Sequence, residues 1–361
     1  MVTSAPGRVN LIGEHTDYNG GPVLPVAVER RTAVAARVAA EWICVSDTQS
    51  GIHRLEIDEP MRRSWTDYIV GVIRELRALN AAPPGAEIAI ATTLPVGAGL
   101  SSSAALTVSL AKALSLLAGK RLTPAQLVDL AFRAEYDQVG VRCGRMDQTI
   151  AAHGVPGSAL LFETATGSIR RVRFPGRLWV VETGLSHRLT GGALNQRRRE
   201  CEEALAYCRE WRPTLKHLAQ LSPDDLPEME RRLPPPLVPR VRHVVTETAR
   251  TRAAADALAA GDLAQVGRLL VEGHESLRRD YQSTIPEADL IVGSAVSHGA
   301  YGARLTGAGW GGAVVVLAPA GGEARIMAEI GEDFARQFGR RPELWSTRAS
   351  AGVRRELVRK S

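Results

Sequence analysis

The chain has 361 residues, 45% of them hydrophobic and 23% charged, with 45 Lys and Arg against 39 Asp and Glu for a net charge of +6. That length leaves room for two domains and a large core, and the composition is that of a soluble globular protein with no 20-residue apolar span, which excludes a membrane partner. The positive charge is mostly arginine and, outside Arg197 to Arg199 and the tail VRRELVRKS, is scattered among acids without aromatic interleaving; this argues against nucleic acid and suits an anionic small substrate.

In chain order, an apolar strand around Val9, Leu11 and Ile12 runs into GEHTDYNGG. Asn19 to Gly21 read as a polar turn, which leaves Glu14, His15 and Asp17, spaced along an extended loop, without a packing role. Strand patterns follow in TAVAARVA, EWICVS and AEIAIATTL. The run SSSAALTVSLAKALSLLAG is apolar almost all round and ends in a glycine, so it predicts a buried helix; TPAQLVDLAFRAEYDQ predicts an amphipathic one capped by Thr123. From about residue 175 the alternation restarts with RLWVVETG, the helix RRRECEEALAYCREW, a proline-rich stretch LPPPLVPR, two helical runs through RTRAAADALAAGDLAQVGRLL, and a strand pair in GARLTGAGWGGAVVVLAP. The pattern predicts a mixed α/β chain of α+β type in two domains, residues 1–175 and 176–361, with the boundary falling within 165–190. Among four cysteines, Cys201 and Cys208 share a helical face with Leu205 and read as core. No signal-peptide succession opens the chain, and a reducing cytoplasm is expected.

EIAIATTLPVGAGLSSSAALTVSLAKAL is a strand, a glycine-rich turn and a helix in succession. Gly97 and Gly99 allow close backbone approach, and Ser101 to Ser103 stand where the first free N–H groups of the helix point outward, which makes a phosphate site. A serine cap on a buried helix is the rival reading. No Gly-Lys-Ser/Thr follows, so this is not a Walker A loop.

PVGAGLSSSAA resembles the phosphate loop of the GHMP small-molecule kinases, and GRVNLIGEHTDYN resembles the signature of their galactokinase branch. WTDYIVGVI, CGRMDQTIAAHG, RRRECEEA, SLRRDYQSTIPEADLIV and GARLTGAGWGG match further family motifs in order, from Ala5 to about Gly352. The resemblance implies a two-domain kinase with its active site in the cleft between domains, phosphorylating the anomeric hydroxyl of D-galactose with ATP and Mg²⁺ as a monomer or weak homodimer. It implies that Glu14, His15, Asp17 and Gly144 hold the sugar. Carboxylates accept hydroxyl donors in charge-assisted bonds, and this reading outranks a metal site because no further His or Cys stands close by. Asp147 would take the anomeric proton, with Arg8 as its partner, although a structural Asp–Arg pair is the alternative. Gly97, Gly99, Leu100, Ser101, Ser102 and Ser103 would hold the ATP phosphates. Trp65 would lie near adenine or in the core. Ser102 and Glu135 would hold Mg²⁺, unless Glu135 is a surface acid.

Two departures from the family pattern bear on sugar choice. Leu194 stands where the family carries a sugar-contacting tyrosine, and Arg145 replaces an aliphatic residue two positions before Asp147. Leu194 implies looser selectivity, towards galactosamine or arabinose. Arg145 would favour galacturonate if it faced the site and would be neutral if it pointed outward. A catalytically silent sugar sensor is the competing class; the complete GLSSSAA and the presence of Asp147 favour the enzyme.

Overall fold

The computed structural model describes residues 1–95, 97–185 and 191–357, so Val96 of the phosphate-loop motif and the last four residues of the basic tail lie outside the described residues. The chain opens with β1 (Val2–Asn10), β2 (Pro22–Val23), β3 (Pro25–Val38), β4 (Trp42–Ser46), β5 (Gln49–Arg54), α1 (Asp67–Ala78) and β6 (Ala86–Thr92). β1 and β3 pair antiparallel, and their register shifts between Pro6 and Arg8. Such an irregularity re-aims the side chains that follow it, here Arg8. The sheet is completed by β6, β4 and β5, with β4 and β6 its parallel pair.

α2 (Ser102–Leu117) packs against β1 and β3, and Ala104, Ala105, Val108, Leu110, Ala111, Ala113 and Leu114 are wholly buried, as its all-round apolar sequence requires. α3 (Pro124–Arg133) begins with a full capping box between Thr123 and Gln126. The amphipathic pattern continues past Arg133, but the helix widens there into a π-helical turn, Ala134–Val139, which carries Glu135. α4 (Met146–His153) follows a short loop, and β7 (Ser158–Glu163) and β8 (Ser168–Arg173) form a hairpin that β2 extends.

The second half holds β9 (Arg177–Glu182), α5 (Gly191–Trp211), α6 (Leu226–Arg232), α7 (Val238–Ala260), α8 (Leu263–Ser276), α9 (Pro286–Ser297), β10 (Gly302–Thr306), β11 (Ala313–Leu317), α10 (Glu323–Phe338), β12 (Glu343–Arg348) and β13 (Arg354–Arg355). Its sheet is antiparallel in the order β10-β11-β9-β12, while β13 returns to pair with β1. One core cluster joins Val9, Leu24 and Val26 of the first half to Val180, Val315 and Trp345 of the second. Cys201 and Cys208 are buried in a cluster with Val244 and Leu277, the core position their helical spacing predicts.

Candidate active site

Asp147 lies in the first turn of α4, and Arg8 follows the irregularity in β1. Arg8 Nε donates to Asp147 Oδ1 at 2.9 Å, its Nη1 donates to the Gly99 carbonyl, and its backbone N–H donates to Leu100 O at 3.1 Å. One guanidinium therefore ties the aspartate to the glycine-serine loop.

The segment after β1 is neither extended nor unpacked, and both expectations are corrected. His15 adopts a left-handed backbone at φ 64°, and Asp17–Asn19 form a 3₁₀ turn. Glu14 is 2% exposed and His15 5%. A non-glycine residue held at positive φ is strain that the surrounding contacts must hold in place. Asn19 Nδ2 donates to His15 O at 2.8 Å, and the His15 ring stacks on Tyr281 at 4.2 Å. Arg8, Glu14, His15, Asp17, Gly144, Asp147, Leu194 and Gly307 all line one cavity of about 110 Å³.

Glu14 Oε2 meets Arg304 Nη2 at 2.6 Å, while Arg304 Nη1 donates to Glu247 Oε1 at 2.7 Å. Two carboxylates thus share one wholly buried guanidinium. Glu247 also receives Arg250 at 3.0 Å and stays well below the usual carboxylate range against its burial, with Arg304 and Arg250 the main attractions; burial pushes Glu14 up to about 7. Burial, reinforced by Asp147, pushes Asp17 up to about 6. Gly144 leaves room for Asp17, since a Cβ at Gly144 would lie 1.7 Å from Asp17 Oδ2.

Ser101 caps α2 in a left-handed conformation at φ 61°, and its buried hydroxyl has no partner among the described residues. Ser102 and Ser103 line a second cavity of about 350 Å³ with Trp65, Tyr68 and Thr92. Glu135 is buried, which removes the surface-acid reading. It accepts from Gln148 Nε2 at 2.9 Å and Thr107 Oγ1 at 3.0 Å, lies within reach of the Ser103 hydroxyl, and is pushed by burial up to about 7. The glycine run after β10 packs on the same loop: Gly307, at φ 90°, would place a Cβ 3.0 Å from Gly99 O.

The galactokinase galactose-binding signature matches residues 1–38, the N-terminal domain of GHMP kinases residues 67–155, and their C-terminal domain residues 254–336. The chain is 43% identical to a galactokinase of Chloroflexus aggregans over 98% of its own length and 92% of the relative's. This chain belongs to the galactokinase family. A galactokinase of Thermotoga maritima is 38% identical over 94% of this chain and 95% of the relative. The crystal structure of Lactococcus lactis galactokinase complexed with galactose matches with a TM-score of 0.94 at 29% identity, covering 98% of this chain and 95% of that one.

Within this galactokinase-family site the two departures separate. Leu194 lines the first cavity, whereas Arg145, 48% exposed, pairs with Asp129 and lies over the Phe132 ring. Arg145 is absent from the lining of that cavity and takes the outward of the two alternatives, the one neutral towards sugar choice. Arg304, Glu247, Tyr18 and Tyr281 escaped sequence reasoning. Arg304 could have been found as the one charge in the strand pattern GARLT, because a charge buried in a strand must be paired.

Proposed function

We propose that the chain transfers the γ-phosphoryl group of ATP to the anomeric hydroxyl of D-galactose, giving α-D-galactose 1-phosphate. The observation that carries this reading is the Arg8 bridge from Asp147, in the first cavity, to Gly99 of the phosphate loop. Asp147 takes the proton from the anomeric oxygen as that oxygen bonds to the γ-phosphorus, and the bond to the β,γ-bridging oxygen breaks, releasing ADP. Arg8 holds Asp147 in place and offsets negative charge on the transferred group; positioning and charge neutralisation are most of what phosphoryl transfer needs. Glu14, His15 and Asp17 take sugar hydroxyls, with Gly144 making the space. Gly97, Gly99, Leu100 and Ser101 to Ser103 take the phosphates, and Trp65 flanks the adenine.

Mg²⁺ fits the residues present. The hydroxyls of Ser102 and Ser103 and the buried Glu135 are hard oxygen donors, and Glu135 feels Asp147 as a second negative charge that a divalent cation would relieve. Ser102 and Glu135 are the proposed ligands, and the ion would neutralise charge on the β- and γ-phosphates. We take residues 1–175 and 176–361 as the two domains, since the second sheet starts at Arg177. Among the described residues no helix is long and apolar enough to cross a membrane, and the cysteines are free, so the cytoplasm is the proposed compartment.

Leu194 in the cavity wall favours a second reading, broader use of galactose-like sugars including galactosamine and arabinose. Coupled ADP release tests both. Galactose should give the highest kcat/KM, with galactosamine and 2-deoxygalactose accepted and galacturonate no better than galactose. Galactose binding without ADP release from any sugar would mean a silent sensor and overturn the enzyme reading.

A further inference from the structure

A line of polar groups runs from Cys201 and Tyr281, outside the cavity lining, to Tyr18 and His15, which both line the cavity. Cys201 Sγ stands 3.3 Å from Tyr281 Oη, Tyr281 Oη 2.8 Å from Tyr18 Oη, and Tyr18 Oη 2.8 Å from His15 Nδ1. The other ring nitrogen, His15 Nε2, is buried and has no partner among the described residues, and the ring lines the cavity beside Asp17 and Asp147. Burial, then the neighbouring His243, holds His15 well below its ordinary value, so the imidazole is neutral and carries a single proton. Which nitrogen bears it decides whether His15 shows the sugar a donor or an acceptor.

Each hydroxyl in the line has one proton to give, and a phenol that accepted from both neighbours would leave its own proton without a partner in the line, so the fully bonded arrangements all run one way. Towards Cys201, the imidazole would donate from Nδ1 and the last phenol would donate to sulfur, a weak acceptor. Away from Cys201, the weak bond is the thiol's donation, and the strongest acceptor in the line, a bare imidazole nitrogen, receives a phenolic O–H. Burial pushes the Cys201 thiol up to about 11, so the sulfur keeps the proton this direction requires. The ring itself is held by the stack on Tyr281, with planes 23° apart, and by an edge contact with Trp310 at 6.0 Å.

We propose that Cys201, Tyr281 and Tyr18 form a one-way hydrogen-bond relay that fixes His15 as the Nε2–H tautomer, so that the ring offers a donor to an acceptor oxygen of the sugar. This rests on the sugar-site reading above. Tyr281 is a positioning residue, since it acts through Tyr18 and His15; Tyr18 lines the cavity as well, and the His15 tautomer is the readout that isolates its part in the relay. The relay also gives the half-buried tyrosine three residues after His15 a role: its hydroxyl sets the proton on the ring.

The test is long-range ¹H–¹⁵N NMR on the full chain labelled at histidine, with the His15 signals identified by their loss in His15→Gln. The ligand-free protein should show Nε2 protonated and Nδ1 bare. Tyr18→Phe removes the donor to Nδ1, so the two tautomers should mix, and KM for galactose should rise about tenfold with kcat within about twofold, the worth of one hydrogen bond. Tyr281→Phe leaves the Tyr18 hydroxyl in place and should move tautomer and KM in the same direction by less. A ligand-free His15 protonated on Nδ1, or a Tyr18→Phe variant with both tautomer and KM unchanged, would overturn the relay. Adding galactose tests the underlying site separately: His15 signals that do not move would overturn the sugar assignment while leaving the tautomer result standing.

Discussion

Leu194 is the residue at which sugar choice is most open to experiment. It occupies a cavity wall shared with Asp17, Gly144 and Asp147, and an aliphatic wall cannot reject an analogue that lacks a hydroxyl, whereas a hydrogen-bonding one rejects it strongly. Leu194→Tyr should narrow the range, raising the preference for galactose over 2-deoxygalactose about tenfold in kcat/KM. Glu135 gives a second test. Its carboxyl sits at about 7 in the folded chain against an ordinary 4.5, so the proton it holds stabilises the ligand-free fold below the ordinary value, and that contribution is lost as pH rises through about 7. A cation needs the opposite form. The apparent KM for Mg²⁺ should therefore rise about tenfold for each pH unit below 7, and ATP-free thermal stabilisation by Mg²⁺ should fade in the same window. At this scale the sequence named part of the cavity lining: Arg8 and Asp147 were legible as a pair from their motifs, while Arg304, which balances the charge of Glu14 and Glu247 together, comes from a strand remote in sequence and meets them only on folding.

Among elements, the helices and strands with strong periodicity were read correctly, because packing agrees with local preference there. α2 is apolar almost all round and buried over most of its surface, with Ser102, Ser103, Leu106 and Lys112 half-buried; the capping box at Thr123 starts α3 where the residues require. The turn at residues 14 to 19 was misread as an extended, unpacked loop, since its conformation is set by Thr16, whose hydroxyl lies 2.7 Å from both Gly13 O and Pro22 O and donates its one proton between them, and by the stack on Tyr281 from the far half of the chain. The π-helical turn carrying Glu135 was likewise invisible, as its sequence continues the helical pattern. The loop leading into α4 is more directly testable. Gly144→Ala would drive a methyl into Asp17, so Asp17 must move from the cavity wall, and KM for galactose should rise at least about tenfold with a Tm loss consistent with roughly 1–3 kcal/mol. An unchanged KM would remove Asp17 from the sugar contact.

Over the whole molecule, the two halves are held together by more than the cleft. Their sheets share one core cluster, and Arg31 fastens the returning end of the chain by donating to Ser4 O, Ala351 O and Gly352 O at 2.7 to 2.9 Å. Burial lowers Arg31 to about 10, still charged at neutral pH. Arg31→Ala leaves three carbonyls without this partner and should cost about 3 kcal/mol in denaturant unfolding while leaving both substrate KM values near wild type. A two-half architecture was legible from the restart of the strand pattern near residue 175, but the return of β13 to the first sheet was not, because two residues of edge strand carry no periodic signal.

In the proposed reaction Asp147 stands between sugar and phosphate. Asp147→Asn keeps the shape of the side chain and removes the proton acceptor, so the direct measurement is single-turnover phosphoryl transfer alongside galactose binding by calorimetry. Transfer should fall by a factor of at least about 10² with galactose affinity within about threefold of wild type. Transfer near the wild-type rate would contradict the account and leave the Arg8–Asp147 pair as a structural tie.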